Sequence, residues 1–345
     1  MEPRTPLIGL DRASLVQLCR DAEVKDVHAK HLLAGLFRRN QNLDDIIELP
    51  KKLKAWIAQH HTELEVGCST AQLSDDGTHK FLLKMPDCKE VETVLIPTKG
   101  RVTQCVSTQV GCAAGCQFCL TATAGLTRNL SVAEIVAQVR FMRHRTPVRN
   151  LVLMGMGEPL HNYESVHSFV RIVTDPLGMA FSPRHVTLST VGMVPGIYRM
   201  IEDEMACNLA VSLNATTDEL RSEIMPVNKA YPLAVLLQAM KDYTKSGRHK
   251  RVFVEYVLLA GVNDRDEDAL RLKQLLKDVP CTLNLLPFNA FSGSLYQAPS
   301  AQQVLHFQDQ LLAQGIFAIV RESRGRDISA ACGQLKTEQR QRASR

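Results

Sequence analysis

The sequence lacks the apolar segments that membrane insertion and secretion require. It contains no run of about 18 apolar residues, the length that predicts a membrane-spanning helix. The N-terminal stretch MEPRTPLIGL has no basic segment followed by an apolar one, which is the pattern of a signal peptide. Fixed-period repeats and low-complexity segments are also missing, apart from a polar tail after Leu335. We therefore expect a cytoplasmic protein that does not associate with membranes.

The sequence also has little excess charge of either sign. Its 41 basic and 36 acidic residues leave a net charge of +5, which by itself does not indicate a polyanionic partner. The basic residues are clustered at 38–39, 51–54, 140–149, 248–251, 321–326 and 336–345. Several such clusters could converge on a nucleic-acid backbone, although each one alone is more often a solvated surface.

A disulfide framework is not expected either. A chain of 345 residues with 45% apolar content can bury a large core, and its length suggests two or three domains. In a reducing compartment its ten cysteines are free, which favours roles as metal ligands, catalytic groups or core residues.

Helical and strand patterns divide the chain. Residues 12–60 have apolar positions at helical spacing, and short segments separated by turns follow at 66–96. Beyond residue 100, apolar β-rich segments alternate with helical patterns, which predicts βαβ units and a parallel sheet. The predicted strands are 102–110, 150–156, 185–190, 207–213, 251–259, 281–288 and 316–322. This count fits a doubly wound sheet or a partial barrel, and either has its ligand site at the carboxyl ends of the strands.

Three cysteines follow the first of these strands at the spacing C-x3-C-x2-C. Cys112, Cys116 and Cys119 can bind one metal centre, and three thiolate ligands would leave one iron of a 4Fe-4S cluster open for an exchangeable ligand. Cys105 could instead act as a fourth thiolate and complete a structural zinc site with them. In that alternative the chain is a zinc-stabilised RNA-binding protein.

The cysteine loop, with Phe118 before its last cysteine, resembles the signature of the radical S-adenosylmethionine superfamily. Further stretches resemble one family within it, the RlmN/Cfr family of RNA adenosine methyltransferases, in order along almost the whole chain. They are VETVLIP (91–97), CVSTQVGCAAGCQFC (105–119), RNLSVAEIVAQV (128–139), LVLMGMGEPLHNY (151–163), VTLSTVGMVPGI (186–197), LAVSLNA (209–215), LNLLPFN (283–289) and RGRDISAACGQL (324–335).

The resemblance implies a fold and a domain organisation. It implies an α/β protein with a partial (β/α)6 radical-SAM barrel, an N-terminal small helical domain and adaptor strands. The corresponding segments are a helical RNA-binding accessory domain at 1–65, an adaptor or small sheet at 66–100, the barrel at 101–335 and a basic tail at 336–345.

The resemblance also implies the cofactors and the partners. The cofactors are a 4Fe-4S cluster on Cys112, Cys116 and Cys119 and two molecules of S-adenosylmethionine per turnover. The substrate is RNA, namely 23S rRNA with tRNA as a further candidate. A cellular electron donor and a disulfide reductant are also needed, and we expect a monomer.

The catalytic residues that the resemblance implies are Cys332, Cys105 and Glu92. Cys332 takes a methyl group by displacement, and that group is then joined to the adenine ring by radical chemistry. Cys105 attacks the sulfur of Cys332 to release the product, which leaves a transient disulfide that a reductant resets. Glu92 is the proton acceptor for the ring carbon.

Polar groups after the strands are the implied cofactor contacts. Glu158 in MGMGEP can accept hydrogen bonds from the ammonium group of S-adenosylmethionine, and the glycines of that turn would let the backbone approach a ligand. The full implied set is Glu158, Pro159, Ser189, Ser212, Leu213, Asn214 and Asn289. Asn214 departs from the family, where a histidine is common in this segment.

The product that the resemblance favours is an adenosine methylated at carbon 2. Methylation at carbon 8, as by the Cfr branch, would use the same residues, and a paralogue with another RNA target is a further alternative.

Overall fold

The computed structural model of the protein describes residues 4–247 and 250–335. Its α-helices are α1 (Arg12–Asp21), α2 (Val27–Leu33), α3 (Lys51–His60), α4 (Leu120–Thr123), α5 (Val132–Arg143), α6 (Tyr163–Thr174), α7 (Val194–Glu202), α8 (Asp218–Ile224), α9 (Leu233–Lys245), α10 (Asp266–Leu276) and α11 (Ala301–Ala313). Its strands are β1 (Thr5–Pro6), β2 (His61–Thr62), β3 (Gly67–Leu73), β4 (His79–Lys84), β5 (Glu90–Thr98), β6 (Arg101–Cys105), β7 (Gln109–Gly111), β8 (Leu126–Asn129), β9 (Asn150–Leu153), β10 (Val186–Thr190), β11 (Asn208–Ser212), β12 (Val252–Leu258), β13 (Cys281–Pro287) and β14 (Ala318–Val320). No helix within the described ranges is long and apolar enough to cross a membrane. The basic tail predicted at 336–345 and part of the basic stretch 248–251 lie outside the described residues.

Parallel strands make up most of a ten-stranded sheet. Its order is β14-β13-β12-β11-β10-β9-β6-β5-β4-β3, and the strands from β6 through β14 in this sheet pair in parallel. Consecutive parallel strands are connected through α5, α6, α7, α9, α10 and α11, which gives six βα units. The predicted α/β fold class with a partial (β/α)6 barrel is confirmed.

The side-chain alternation of each strand separates a helix-facing side from the interior of the barrel. In β12, the four residues Val252, Val254, Tyr256 and Leu258 are buried, and the residues between them are partly exposed. Tyr256 stacks on Phe307 of α11, with ring centroids 6.0 Å apart. The alternate residues Glu255 and Val257 line a pocket inside the barrel. Strands with two such faces place their polar residues in the interior without disturbing the packing of the helices.

The segments expected as an adaptor or small sheet do not form a sheet of their own. β5 and β6 are joined by a two-residue hairpin, in which Thr98 pairs with Arg101 and Gly100 has φ +76°. β4 and β3 then continue the sheet in antiparallel pairing. Because the hairpin forces β5 to lie beside β6, all three strands extend the edge of the barrel sheet.

Arginine side chains attach the N-terminal helices to the outside of the barrel. The guanidinium of Arg12 in α1 binds the carboxylate of Asp175 through two hydrogen bonds of 2.7 and 2.6 Å. Arg140 and Arg143 of α5 donate to backbone carbonyl groups within 37–41. Two members of the basic cluster at 140–149 therefore stabilise the contact between the helical segment and the barrel and are not free to bind phosphate.

Candidate active site

The three clustered cysteines lie in a loop that a short hairpin closes. β7 and β8 pair antiparallel on either side of the loop, and the Cys112 amide donates to the Gly125 carbonyl at 2.9 Å. Gly111 has φ +80°, and a Cβ at this position would lie 1.9 Å from the same carbonyl oxygen. Only glycine fits here, because any side chain would force the hairpin apart.

The three thiols line one pocket at the carboxyl ends of the strands. Cys112, Cys116 and Cys119 share this pocket with Glu158. Burial raises the pKa of Cys112 to about 11 and raises the pKa of Cys116 well above its usual value, so a metal centre must displace protons from them. The Ala114 amide donates to Cys112 Sγ at 3.4 Å, which favours the thiolate. Three thiols from one loop fit a cluster in which each thiolate binds a different iron.

The arrangement does not support the zinc alternative. Within residues 4–247 and 250–335, no three side chains of the His, Cys, Asp and Glu types converge on the position of one ion. A zinc site would need four ligands at about 2.0–2.3 Å from a single ion. Cys105, the expected fourth ligand, does not line the pocket of the three thiols, and its electrostatic neighbour is Cys332.

Glu158 is buried against the wall of this pocket. Its carboxylate accepts hydrogen bonds from the amides of Leu160 at 3.0 Å and Val191 at 2.8 Å. Burial nevertheless raises the pKa of Glu158 to about 7. The amide of Glu158 itself donates to the side-chain oxygen of Gln109 at 2.8 Å, which ties the turn to the start of the cysteine loop. A carboxylate fixed in this way can receive a cationic group from the pocket.

The glycines of the MGMGEP turn line the pocket and also allow a close approach within the protein. A Cβ on Gly155 would lie 2.7 Å from Ser107 Oγ, and one on Gly157 would lie 2.7 Å from the Gln109 side chain. Gly157 also has φ +109°, which side chains rarely allow. The glycines therefore let this turn pack closely against the segment 106–109, and this packing shapes the pocket wall.

Ser189 and Ser212 lie where β10 and β11 end, and both line the pocket. The buried Arg221 of α8 holds these strand ends together. Its guanidinium donates to the carbonyl groups of Val191 at 2.7 Å, Ser212 at 3.1 Å and Leu213 at 3.0 Å. The positions of both serines thus depend on Arg221, which lies behind the wall of the pocket.

Three of the expected cofactor residues are buried and do not line the pocket, namely Pro159, Leu213 and Asn214. The side-chain oxygen of Asn214 accepts from the Val257 amide at 2.8 Å, and its carbonyl accepts from the Asn263 side chain at 2.8 Å. Asn214 has φ +57°, a conformation that asparagine tolerates better than most residues. The asparagine thus has a structural role at this position, and the part that these three residues play toward the cofactor stays a prediction.

Cys332 faces the same pocket as the three clustered thiols. Its neighbours in the chain anchor it, because the Leu120 amide donates to the Gly333 carbonyl at 2.7 Å and Thr121 Oγ1 donates to the Leu335 carbonyl at 2.5 Å. Cys332 is exposed to the open pocket, and the protein groups crowded around its thiol, followed by the Glu255 carboxylate, raise its pKa to about 11. Cys105 is buried, and after burial the largest influence that raises its pKa is Cys332. The fold therefore brings two thiols 227 positions apart in the sequence close enough for the charge of Cys332 to raise the pKa of Cys105.

Asn289 also lines the pocket, and it contacts the segment that carries Cys332. Its side-chain amide donates to the Cys332 carbonyl at 3.3 Å, and its side-chain oxygen accepts from Arg326 at 3.0 Å. Asn289 therefore holds the C-terminal segment, which carries Cys332, against the pocket.

Glu92 lies on β5, beside the carboxyl end of β6. Its side chain is 5% exposed and forms an ion pair with Lys80 of β4 at 3.0 Å. Its carbonyl accepts from Ser107 Oγ at 2.6 Å. Glu92 does not line the pocket. It lies behind the pocket wall, on the strand next to the one that carries Cys105.

Sequence patterns missed two cations that organise this region, the buried Arg221 and the partly buried Lys80. Arg221 lies three residues before the buried Ile224, so the helical period puts it on the inward face of α8. Lys80 alternates along β4 with the helix-facing Phe81, which predicts an opposite, interior direction. Both signals were available, but a lone basic residue at such a position is usually exposed.

Comparisons with known proteins agree with this geometry. The Radical SAM superfamily model matches residues 106–272. The dual-specificity RNA methyltransferase RlmN of Pelobacter propionicus is 43% identical over 97% of both chains. RlmN of Geobacter sulfurreducens is 46% identical over 89% of this chain and 85% of its own length. The crystal structure of a radical SAM methyltransferase from Sphaerobacter thermophilus has a TM-score of 0.90 and 41% identity, over 96% of this chain and 99% of that one. The chain belongs to the RlmN family of radical SAM RNA methyltransferases.

Proposed function

We propose that the protein methylates carbon 2 of an adenosine in 23S rRNA, with tRNA as a second substrate, through a methylated Cys332. The observation that carries this proposal is that Cys332 shares one pocket with the three clustered thiols while influencing the pKa of Cys105. The relatives are dual-specificity RNA methyltransferases, which supports an RNA substrate. The enzyme would work as a monomer in the cytoplasm, where RNA and a thiol reductant are present.

The cofactors of the family are a 4Fe-4S cluster and S-adenosylmethionine, two molecules of which are used per turnover. When bound, they supply a methyl group and the radical chemistry that an electron-poor ring carbon requires. Cys112, Cys116 and Cys119 would hold the cluster. Glu158 would bind the ammonium group of the second cofactor, and the hydroxyl groups of Ser189 and Ser212 would bind its other polar groups.

Cys332 would be the methyl carrier. Its sulfur gives up a proton and forms a bond to a methyl carbon while the bond between that carbon and the sulfonium sulfur of S-adenosylmethionine breaks, so the thiol becomes a thioether and the electron pair of the broken bond stays on the departing sulfur. Because Cys332 lies on the pocket wall beside the cluster loop, the methyl group it carries remains close to the site where the adenine must enter.

Cys105 would release the product. Its thiolate bonds to the sulfur of Cys332 as the bond between that sulfur and the product carbon breaks, and the electron pair of that bond goes to the product. The two thiols leave the reaction as a disulfide, which a cellular dithiol reduces by exchange. Burial raises the pKa of Cys105 above its usual range, so a nearby acceptor must remove its proton before attack.

Glu92 would accept the proton from the ring carbon. Its carboxylate lies on the strand next to Cys105, because Val94 of β5 pairs with Cys105 and Glu92 is two residues away on the same face. Lys80 holds this carboxylate in the buried site. Proton acceptor and resolving thiol would thus approach the adenine from the same side.

RNA would bind with the help of the N-terminal helices. Lys25 and Lys30 of the α2 region and Lys51 of α3 are exposed and can contact phosphates. Arg140 and Arg143 are excluded from this role, since they donate to carbonyl groups within 37–41.

The test uses protein with its cluster reconstituted under anaerobic conditions, S-adenosylmethionine, a reductant and ribosomal RNA. Mass mapping of the modified nucleoside should find a methyl group on carbon 2, whereas methylation of carbon 8 would assign the enzyme to the Cfr branch. Cys332→Ala should abolish methylation, and full activity of this variant would disprove the methyl-carrier mechanism. Cys68→Ala, at an exposed cysteine that does not line the pocket, is the matched control and should stay active.

A further inference from the structure

The turn between β3 and β4 holds the segment that carries Cys332. Ser74 Oγ donates to the Asp327 carboxylate at 2.6 Å, and the Asp75 amide donates to the same carboxylate at 3.2 Å. In the opposite direction, the Gly325 amide donates to the Asp76 carboxylate at 2.9 Å. These reciprocal bonds join two parts of the chain about 250 positions apart.

The turn itself is rigid enough to act as an anchor. The Ser74 amide donates to the Thr78 carbonyl at 2.8 Å, and the Asp76 carboxylate accepts from the Thr78 amide at 2.9 Å. Ser74 and Thr78 are buried. Gly325 packs against Thr78, because a Cβ on this glycine would come within 3.0 Å of the threonine side chain. The hydrogen bonds to the C-terminal segment are therefore made by a turn whose own shape is held by hydrogen bonds.

Lys80 connects this anchor to the chemistry. Its ammonium lies 3.0 Å from the Glu92 carboxylate and donates to the Ser329 carbonyl at 3.3 Å. The side chain is only 12% exposed. One partly buried cation thus touches both the proposed proton acceptor and the backbone three residues before Cys332.

The strand register explains why these groups meet. Lys80 is paired with Val94, and Val94 is paired with Cys105. Residues paired directly across neighbouring strands point to the same face of a sheet, and Glu92 shares that face because it is two residues from Val94. Lys80, Glu92 and Cys105 therefore form one surface on three adjacent strands, and the segment 325–335 lies over it.

Building on the proposed function, we propose that Lys80, Asp76 and Asp327 are positioning residues for the methyl-transfer reaction. Asp76 and Asp327 dock the start of the C-terminal segment, and Lys80 fixes the distance from this segment to Glu92. The cysteine loop holds the other end, through the bonds of Leu120 and Thr121. The segment that carries Cys332 is thereby held at both ends, at one end by the cysteine loop and at the other by the turn between β3 and β4.

The first test measures how well the anchors hold the two thiols together, and it requires no catalysis. Full-length protein with its cluster is equilibrated anaerobically in glutathione buffers. One oxidised glutathione converts the thiols of Cys105 and Cys332 into a disulfide and yields two reduced glutathione molecules, so peptide mass spectrometry gives the equilibrium constant. Lys80→Met and Asp76→Asn should each lower this constant about tenfold, since each removes a charge-assisted hydrogen bond between the anchor and the segment. Lys84→Met, an exposed position on the same strand, should leave it unchanged.

The second test follows the reaction. Lys80→Met should lower kcat while leaving KM for RNA unchanged, and it should accumulate RNA covalently attached to Cys332, because release needs both Glu92 and Cys105. Lys80→Arg should recover part of kcat, since it keeps a cation between the carboxylate and the segment. Thermal unfolding of each variant identifies any that fail to fold, and Asp76→Asn then carries the test, because it leaves the ion pair of Lys80 with Glu92 in place.

Unchanged equilibrium constants in both Lys80→Met and Asp76→Asn would overturn the inference. So would a wild-type kcat in Lys80→Met. These outcomes are distinguishable from a failure of the proposed function, in which the wild-type protein itself would not methylate RNA or would do so without Cys332.

Discussion

Replacing Arg221 by methionine should destabilise the protein and disrupt its cofactor pocket together. Arg221 is fully buried and donates four hydrogen bonds, to the carbonyl groups of Val191, Ser212 and Leu213 and to the side-chain oxygen of Asn228. Methionine keeps most of the aliphatic stem and fills the space, but it cannot donate. The four acceptors lose these bonds where no water replaces them.

The size of the effect follows from two opposing contributions. A buried acceptor left without its partner costs about 1–3 kcal/mol, so four of them cost about 8 kcal/mol. Removing the guanidinium also removes the cost of burying its charge. Burial lowers the pKa of Arg221 from 12.5 to about 10. At roughly 1.36 kcal/mol for each pKa unit, this shift corresponds to about 3 kcal/mol. The net loss should be about 5 kcal/mol of unfolding free energy.

Urea unfolding of the cluster-free protein measures this loss, and equilibrium dialysis of the reconstituted protein measures the affinity for S-adenosylmethionine. We expect the affinity to fall at least about tenfold, because Ser189 and Ser212 lose the group that holds their strand ends together. Arg20→Met is the matched control, since Arg20 forms only an exposed ion pair with Asp26 and should cost less than about 1 kcal/mol. If Arg221→Met stayed within about 1 kcal/mol of that control, the structural role assigned to Arg221 would be wrong.

Three further predictions concern Glu158, Gly157 and the exposed lysines. Since burial raises the pKa of Glu158 to about 7, its carboxylate is ionised only above that pH. Affinity for S-adenosylmethionine should therefore rise about tenfold from about pH 6 to 8 in equilibrium dialysis, and a persistent rise in Glu158→Gln would contradict this origin. Gly157→Ala should cost about 2 kcal/mol or more in urea unfolding, because it adds a clash with Gln109 to a strained φ, whereas Gly100→Ala, which faces open space, should cost about 1 kcal/mol. Replacing Lys25, Lys30 and Lys51 by alanine should reduce the salt dependence of RNA binding by about 0.7–0.9 in logarithmic slope for each phosphate that is no longer neutralised, and an unchanged slope would place the RNA on another surface.

The sequence predicted the barrel well because each of its strands is a short apolar run and each helix has its own period. The predicted segment 251–259 contains β12 (Val252–Leu258), and the predicted 281–288 contains β13 (Cys281–Pro287). Those signals are local, so no knowledge of distant partners is needed. The pairing of β5 with β6 was not predicted, because it depends on the hairpin at Gly100 and on which strand edge remains open.

The site was predicted less evenly, for reasons of burial. The clustered cysteines and Glu158 stand in compact motifs, and the structure brings them to one pocket. Arg221 and Lys80 act through burial and hydrogen bonding to carbonyl groups, which leave no motif in the sequence. Asn214 stays a prediction as a cofactor residue, and the sequence did not reveal its left-handed backbone or its bond to the Val257 amide.

An incomplete barrel gives this chain a way to treat a large substrate. Six βα units do not close the sheet, and the free edge beyond β6 is extended by β5, β4 and β3. Because these strands run antiparallel, β5 begins where β6 ends, so Glu92 lies beside the carboxyl end of β6, behind the pocket, on a strand that is not part of the barrel. The C-terminal segment then covers the same edge with Cys332. The proposed methyl carrier thus lies beside the cluster loop, to which its segment is hydrogen-bonded through Leu120 and Thr121, and we expect a nucleotide base to enter at this edge, which a closed barrel would not leave open.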